Sequence, residues 1–171
     1  IRRVDLEGSP EIPALAEYIK LMDRASCLEK DGVCVFTMEH AMAALYGSGI
    51  DNCLIELNGE EFPILDGSSK YYVEEIGKVG IEEQEAERRY FTVKEQMEYC
   101  SEDGQTKITL LPDTDYNVNL VVAYDSPYLQ MQYATYSEKT TDFAKEIAPC
   151  RTFVFLRELE MLLQHNLIKG G

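Results

Sequence analysis

Between Glu82 and Arg89 the chain reads EEQEAERR, a charged run with no apolar period, and the patterns on its two sides differ. Such a stretch contributes little to a core, so it is expected to be an exposed connection that divides the chain. Before it, helix-like and strand-like runs alternate. After it, short strand-like segments dominate until a final helical run. The expectation is an α+β fold in two modules, residues 1–87 and 88–171. A length of 171 residues suffices to bury a core, and 45% apolar with 27% charged residues is globular composition, which excludes wholesale disorder.

In the first module, Ile12 to Met22 (IPALAEYIKLM) places Leu15, Tyr18, Ile19 and Met22 at helical spacing, predicting an amphipathic helix. Val33 to Phe36 is β-branched and aromatic and predicts a short buried strand. Thr37 is then expected to cap the helix MEHAMAALY, with Gly47 or Gly49 ending it. Asn58-Gly59, between Cys53–Leu57 and a run towards Ile64, predicts a tight hairpin. Asp66-Gly67-Ser68-Ser69 reads as a loop that caps a helix carrying Tyr72, Val73, Ile76 and Val79 on one face. In the second module, Tyr90 to Cys100, a turn at Ser101 to Gly104 and Thr106 to Leu111 predict another hairpin. Asn117 to Tyr124 reads as a strand. Phe155 to Leu163 reads as a helix with Leu156, Leu159, Leu162 and Leu163 towards a core.

Sixteen Lys and Arg against 31 Asp and Glu leave a net charge of −15. A surface of that sign repels phosphate backbones and anionic lipid, so nucleic-acid binding is disfavoured. No run of apolar residues is long enough to span a membrane. The five cysteines (Cys27, Cys34, Cys53, Cys100, Cys150) are odd in number and scattered, without a C-x-x-C pair. They are expected to be reduced thiols in a cytoplasm. The opening at Ile1 and the ending Lys169-Gly170-Gly171, like a helix end running into a loop, read as those of a piece of something longer.

Chemistry concentrates on few residues. Glu39 and His40 are adjacent in the first turn of a predicted helix, an end whose partial positive charge suits a carboxylate anion and an uncharged imidazole. The pair is compatible with metal-activated water, His40 as ligand and Glu39 as base. The plainer alternative is a helix-start glutamate beside a core or capping histidine. His165, in LLQHNL, is expected to be only a helix C-terminal residue, since Lys169 stands at i+4. Asp66-Gly67-Ser68 reads either as a functional loop or as ordinary turn and cap chemistry, and Thr152, after Arg151, has the position of an N-cap. A glycine-rich phosphate loop, a G-x-S-x-G elbow and an H-E-x-x-H helix are absent.

Several segments, taken as strings, extend this reading. Thr37-Met38-Glu39-His40 through Leu45, then Gly49-Ile50-Asp51-Asn52, then Pro63-Ile64-Leu65-Asp66-Gly67-Ser68 follow in order. With Cys150-Arg151-Thr152-Phe153-Val154-Phe155-Leu156-Arg157-Glu158-Leu159-Glu160 they resemble the signature of the UDP-3-O-acyl-N-acetylglucosamine deacetylases, the zinc enzymes of lipid A synthesis in Gram-negative bacteria. The wording also resembles Bacteroides-type members fused to a 3-hydroxyacyl-carrier-protein dehydratase. The resemblance implies two modules of helices layered on sheet, with the site between the helical layers. It implies Zn2+ as cofactor and UDP-3-O-acyl-N-acetylglucosamine as substrate. By position, His40 matches the first zinc ligand and Glu39 the general base. Thr152 matches the group that helps hold the tetrahedral oxyanion, Phe153 a residue near the sugar, and Asp66 a supporting residue. The family's remaining zinc ligands, in an H-K-x-x-D motif, and its catalytic acid histidine would follow Gly171. The chain is therefore expected to be the front part of such an enzyme, inactive and without stoichiometric zinc by itself. The competing expectation is a catalytically silent α+β interaction module.

Overall fold

The computed structural model describes residues 1–22 and 25–164. The protein is α+β, with helices and several small sheets in one chain. It divides into two compact units, one of Ile1–Glu83 together with the chain from Phe143 onward, the other of Gln84–Asp142. The expectations for His165 and for Lys169-Gly170-Gly171 lie outside the described residues.

The first unit is built on a three-stranded antiparallel sheet of β2 (Ile19–Met22), β3 (Ala25–Lys30) and β4 (Val33–Phe36). Its centre is a tight turn at Asp31-Gly32. Asp31 and Gly32 adopt φ of 51° and 80°, and Lys30 pairs with Val33 across them. Two successive positive φ values make the twist that matches a right-handed hairpin, and Asp-Gly is a preferred pair for it. With β3 held by that turn, its other edge pairs with Ile19–Met22, in the register Ile19 with Leu28 through Met22 with Ala25. The helix expected over Ile12–Met22 is therefore not formed. Only Ala16–Tyr18 makes a 3-10 turn, and Leu15 and Ile19 are exposed. Helical spacing of apolar residues is a weak prior, and here edge pairing overrides it.

The Asn58-Gly59 hairpin is not formed either. Neither residue has a positive φ, so the turn that would fold one flank onto the other is missing. Each flank pairs in parallel with a different segment. β5 (Glu56–Leu57) lies beside β1 (Arg2–Arg3), while Glu61 bridges Phe36. The Glu60 carbonyl accepts the Phe36 N–H at 2.8 Å, and the Phe36 carbonyl accepts the Phe62 N–H at 3.1 Å. The buried core follows from these pairings. Ile12, Leu28, Val35, Met38, Ala41, Leu57 and Phe62 pack together, with Tyr72 and Met42 at the margin.

Helix α1 (Glu39–Gly47) follows β4 directly. Thr37 does not cap it. Its φ is 57°, and its Oγ1 donates to Glu61 at 2.8 Å; the N-cap is Met38, without a side-chain cap. The other end closes as expected. Gly49, at φ 74°, donates to the Tyr46 carbonyl and Ile50 to that of Leu45, both at 2.9 Å, the paired bonds of a Schellman ending. Helix α2 (Lys70–Val79) packs on α1. Tyr72, Val73 and Ile76 of its expected face are half-buried, but Val79 is exposed.

A five-residue π-helical turn, Phe143–Ile147, was not foreseen. It lies against the end of α1: a Cβ placed on Gly47 would stand 2.1 Å from Phe143 Cδ1 and 2.3 Å from Cε1. Gly47→Ala gains about 1 kcal/mol of helix propensity. It must also displace an aromatic ring, an overpacking that costs about 1–3 kcal/mol. The expected result is a net loss of stability, read as a lower urea midpoint; an unchanged or raised midpoint would mean that Phe143 does not pack there. Helix α3 (Leu156–Gln164) buries Leu162 and half-buries Leu159, whereas Leu156 and Leu163 are exposed. Two of the four leucines expected in a core are thus at the surface.

The second unit is two antiparallel hairpins. β6 (Met97–Cys100) pairs with β7 (Lys107–Leu110), around the expected turn, where Gly104 donates to the Ser101 carbonyl at 2.9 Å. β8 (Asn117–Val122) pairs with β9 (Gln132–Ser137), a strand the sequence reading missed. No residue of this unit is buried. Among the described residues, no helix is long and apolar enough to cross a membrane.

Candidate active site

Glu39 and His40 sit in the first turn of α1, immediately after the tie between strand and helix. The Ser26 N–H donates to the Glu39 carboxylate, and the Ser26 carbonyl accepts the Thr37 N–H at 3.2 Å. One residue of β3 thus holds the β4–α1 connection from both sides. Buried Met38 and Ala41 anchor the helix on its core face, leaving His40 half-buried and Glu39 exposed.

Asp66 and Thr152 come together, although they are far apart in sequence. The Asp66 carboxylate accepts the Ser68 hydroxyl at 2.7 Å and the Ser68 N–H at 3.1 Å. The Ser68 hydroxyl holds the Asp66 carboxyl below the usual carboxylate range, against desolvation, with its N–H and the charge of Arg151 adding lesser contributions. Ser68 Oγ also accepts the Lys70 N–H at 3.2 Å at the start of α2. From the other segment, Arg151 Nε donates to the Asp66 carbonyl at 2.6 Å, and the Thr152 N–H donates to the Gly67 carbonyl at 2.7 Å. Ser69 Oγ donates to the Ala148 carbonyl at 3.4 Å. The Asp66–Ser69 loop and the Ala148–Thr152 segment therefore form one seam. Phe153, next along, is 63% exposed, its ring edge-on to Phe155 at 5.7 Å.

Glu39 belongs to a separate set of bonds, centred on Ser26, and His40 follows it on α1. Among the described residues, no group of three or more His, Cys, Asp or Glu side chains is arranged to hold a metal ion. A half-buried imidazole is a sound single ligand for zinc, but a catalytic site needs about three protein ligands. His40 could supply one of them. The sequence places Gly67 and Ser68 in a capping loop and gives no sign of the seam they form with the Thr152 segment. Their signal, a positive-φ glycine beside a fully buried serine, exists only once the chain is folded.

A family profile for the UDP-3-O-acyl N-acetylglycosamine deacetylases (LpxC) matches residues 1–171. The chain belongs to this family. Among curated proteins it is similar to the bifunctional enzyme LpxC/FabZ of Bacteroides thetaiotaomicron, 50% identical over 171 residues, covering 100% of this chain and 37% of that one. The bifunctional enzyme of Porphyromonas gingivalis is also 50% identical, with 37% of its length covered. The UDP-3-O-acyl-N-acetylglucosamine deacetylase of Marinobacter nauticus is 41% identical over 172 residues, covering 99% of this chain and 56% of the relative. This LpxC-family chain thus spans only part of the length of the relatives it matches. Its α1 pair and its Asp66–Thr152 seam both lie within the matched residues.

Proposed function

We propose that this chain carries the front part of a zinc-dependent hydrolase that removes acetate from UDP-3-O-(3-hydroxyacyl)-N-acetylglucosamine in lipid A synthesis. One observation supports the reading above all: family membership runs across residues 1–171, and within it an adjacent Glu-His pair opens a helix packed on the core. In this proposal residues 1–87 are the first module and 88–171 open the second. Five free thiols support a reducing, cytoplasmic setting.

Glu39 is the base that takes the proton of the attacking water, and the Ser26 N–H holds its carboxylate in place. His40 is one ligand of the zinc, which when bound polarises the amide carbonyl and acidifies water. Thr152 offers its hydroxyl to the oxyanion, and Phe153 presents an exposed ring to the sugar. Asp66 supports the loop that Thr152 leans on.

The proposal is tested by zinc dependence. The full-length protein is expected to lose acetate release on chelation and to recover it with added zinc. The isolated 171-residue chain is expected to retain no stoichiometric zinc after dialysis, because His40 supplies one of about three required ligands. Acetate release that survives complete metal removal contradicts the zinc-hydrolase reading. One zinc per isolated chain contradicts the ligand assignment.

A further inference from the structure

We infer that Gly67 and Arg151 are positioning residues, which act on the reaction by setting where Thr152 stands. This rests on the oxyanion role proposed for Thr152. The segment around Thr152 has no regular secondary structure of its own: residues 148–155 precede α3 as a turn and irregular chain. What orients it is the seam. The Gly67 carbonyl holds the Thr152 N–H at 2.7 Å, and the Asp66 carbonyl holds Arg151 Nε at 2.6 Å. Two successive carbonyls of one loop thus hold two successive residues of the other segment.

The loop is itself built to keep those carbonyls still. Ser68 is fully buried, and its hydroxyl donates to Asp66 while accepting from Lys70. Gly67 sits at φ 79°, where a side chain is strained, and a Cβ there would meet Thr152 Cγ2 at 3.1 Å. The glycine therefore meets two needs at once, the turn and the close approach of Thr152. A side chain at position 67 would push on the methyl that shares Cβ with the hydroxyl. A misplacement of about 1 Å in a preorganised group can cost on the order of 10²-fold in rate.

The experiment measures kcat and KM for acetate release by the full-length protein. It compares Gly67→Ala, Arg151→Ala, Thr152→Ala and the two double variants that include Thr152→Ala. Gly67→Ala is expected to lower kcat by about 10–100-fold with little change in KM. Arg151 is exposed, so Arg151→Ala leaves folding intact and is expected to lower kcat several-fold. Both losses should disappear in the Thr152→Ala background, because a residue acting through Thr152 has nothing left to position. Losses that multiply in the double variants overturn the inference, as does wild-type kcat in both single variants. A failure of the underlying oxyanion role looks different: Thr152→Ala alone would then turn over like wild type.

Discussion

Replacing Glu39 by alanine in the full-length protein is expected to lower turnover ~10²–10⁴-fold, the usual cost of a lost general base. Zinc content should change little. Alanine also removes the acceptor of the Ser26 N–H, so the alanine variant alone mixes chemistry with the loss of a structural tie. Glu39→Gln separates them, because the amide oxygen still accepts that hydrogen bond but cannot take a proton. The same large loss is expected for glutamine as for alanine. If Glu39→Gln turns over near the wild-type rate while Glu39→Ala does not, Glu39 is a tether between β3 and α1 and not the base.

His40→Ala is expected to abolish both bound zinc and acetate release. A catalytic zinc held by about three protein ligands rarely survives the loss of one. The side chain is half-buried on α1, and the buried residues Met38 and Ala41 carry the packing, so the helix is expected to persist. Circular dichroism and metal analysis of the same dialysed sample check the two parts. A variant that stays folded and keeps a full complement of zinc would remove His40 from the ligand set.

Legibility in the sequence varied with how local the cause was. The end of α1 and the Ser101–Gly104 hairpin were readable, because a glycine at the right offset decides each within a few residues. Asp31-Gly32 carried an equally local signal and was overlooked, although its two positive φ values organise the three-stranded sheet. Asn58-Gly59 carried the same kind of signal and did not act on it. Leu57 and Glu61 found parallel partners in Arg3 and Phe36, contacts that no local pattern encodes. Ile12–Met22 failed for a related reason, since the free edge of β3 took Ile19–Met22 as a strand. β9 was missed because Gln132, Ala134 and Ser137 dilute its alternation.

The candidate site divides along the same line. Glu39 and His40 stood out as neighbours in a helix start, and the structure puts them there. Thr152 and Asp66 were separate suggestions, and their joining depends on the Gly67 carbonyl and the Thr152 N–H meeting across the fold. The tie from Ser26 to Glu39 likewise needs β3 beside the start of α1. Hydrogen bonds of this reach are set by packing, not by spacing.

The most direct measurement is the reaction itself. Purified full-length protein is given UDP-3-O-(3-hydroxyacyl)-N-acetylglucosamine, and both products are followed. One acetate is expected per free amine formed on the sugar, with both lost in Glu39→Gln and in His40→Ala. A zinc-loaded, folded protein that leaves the acetamide intact would contradict the zinc-hydrolase reading.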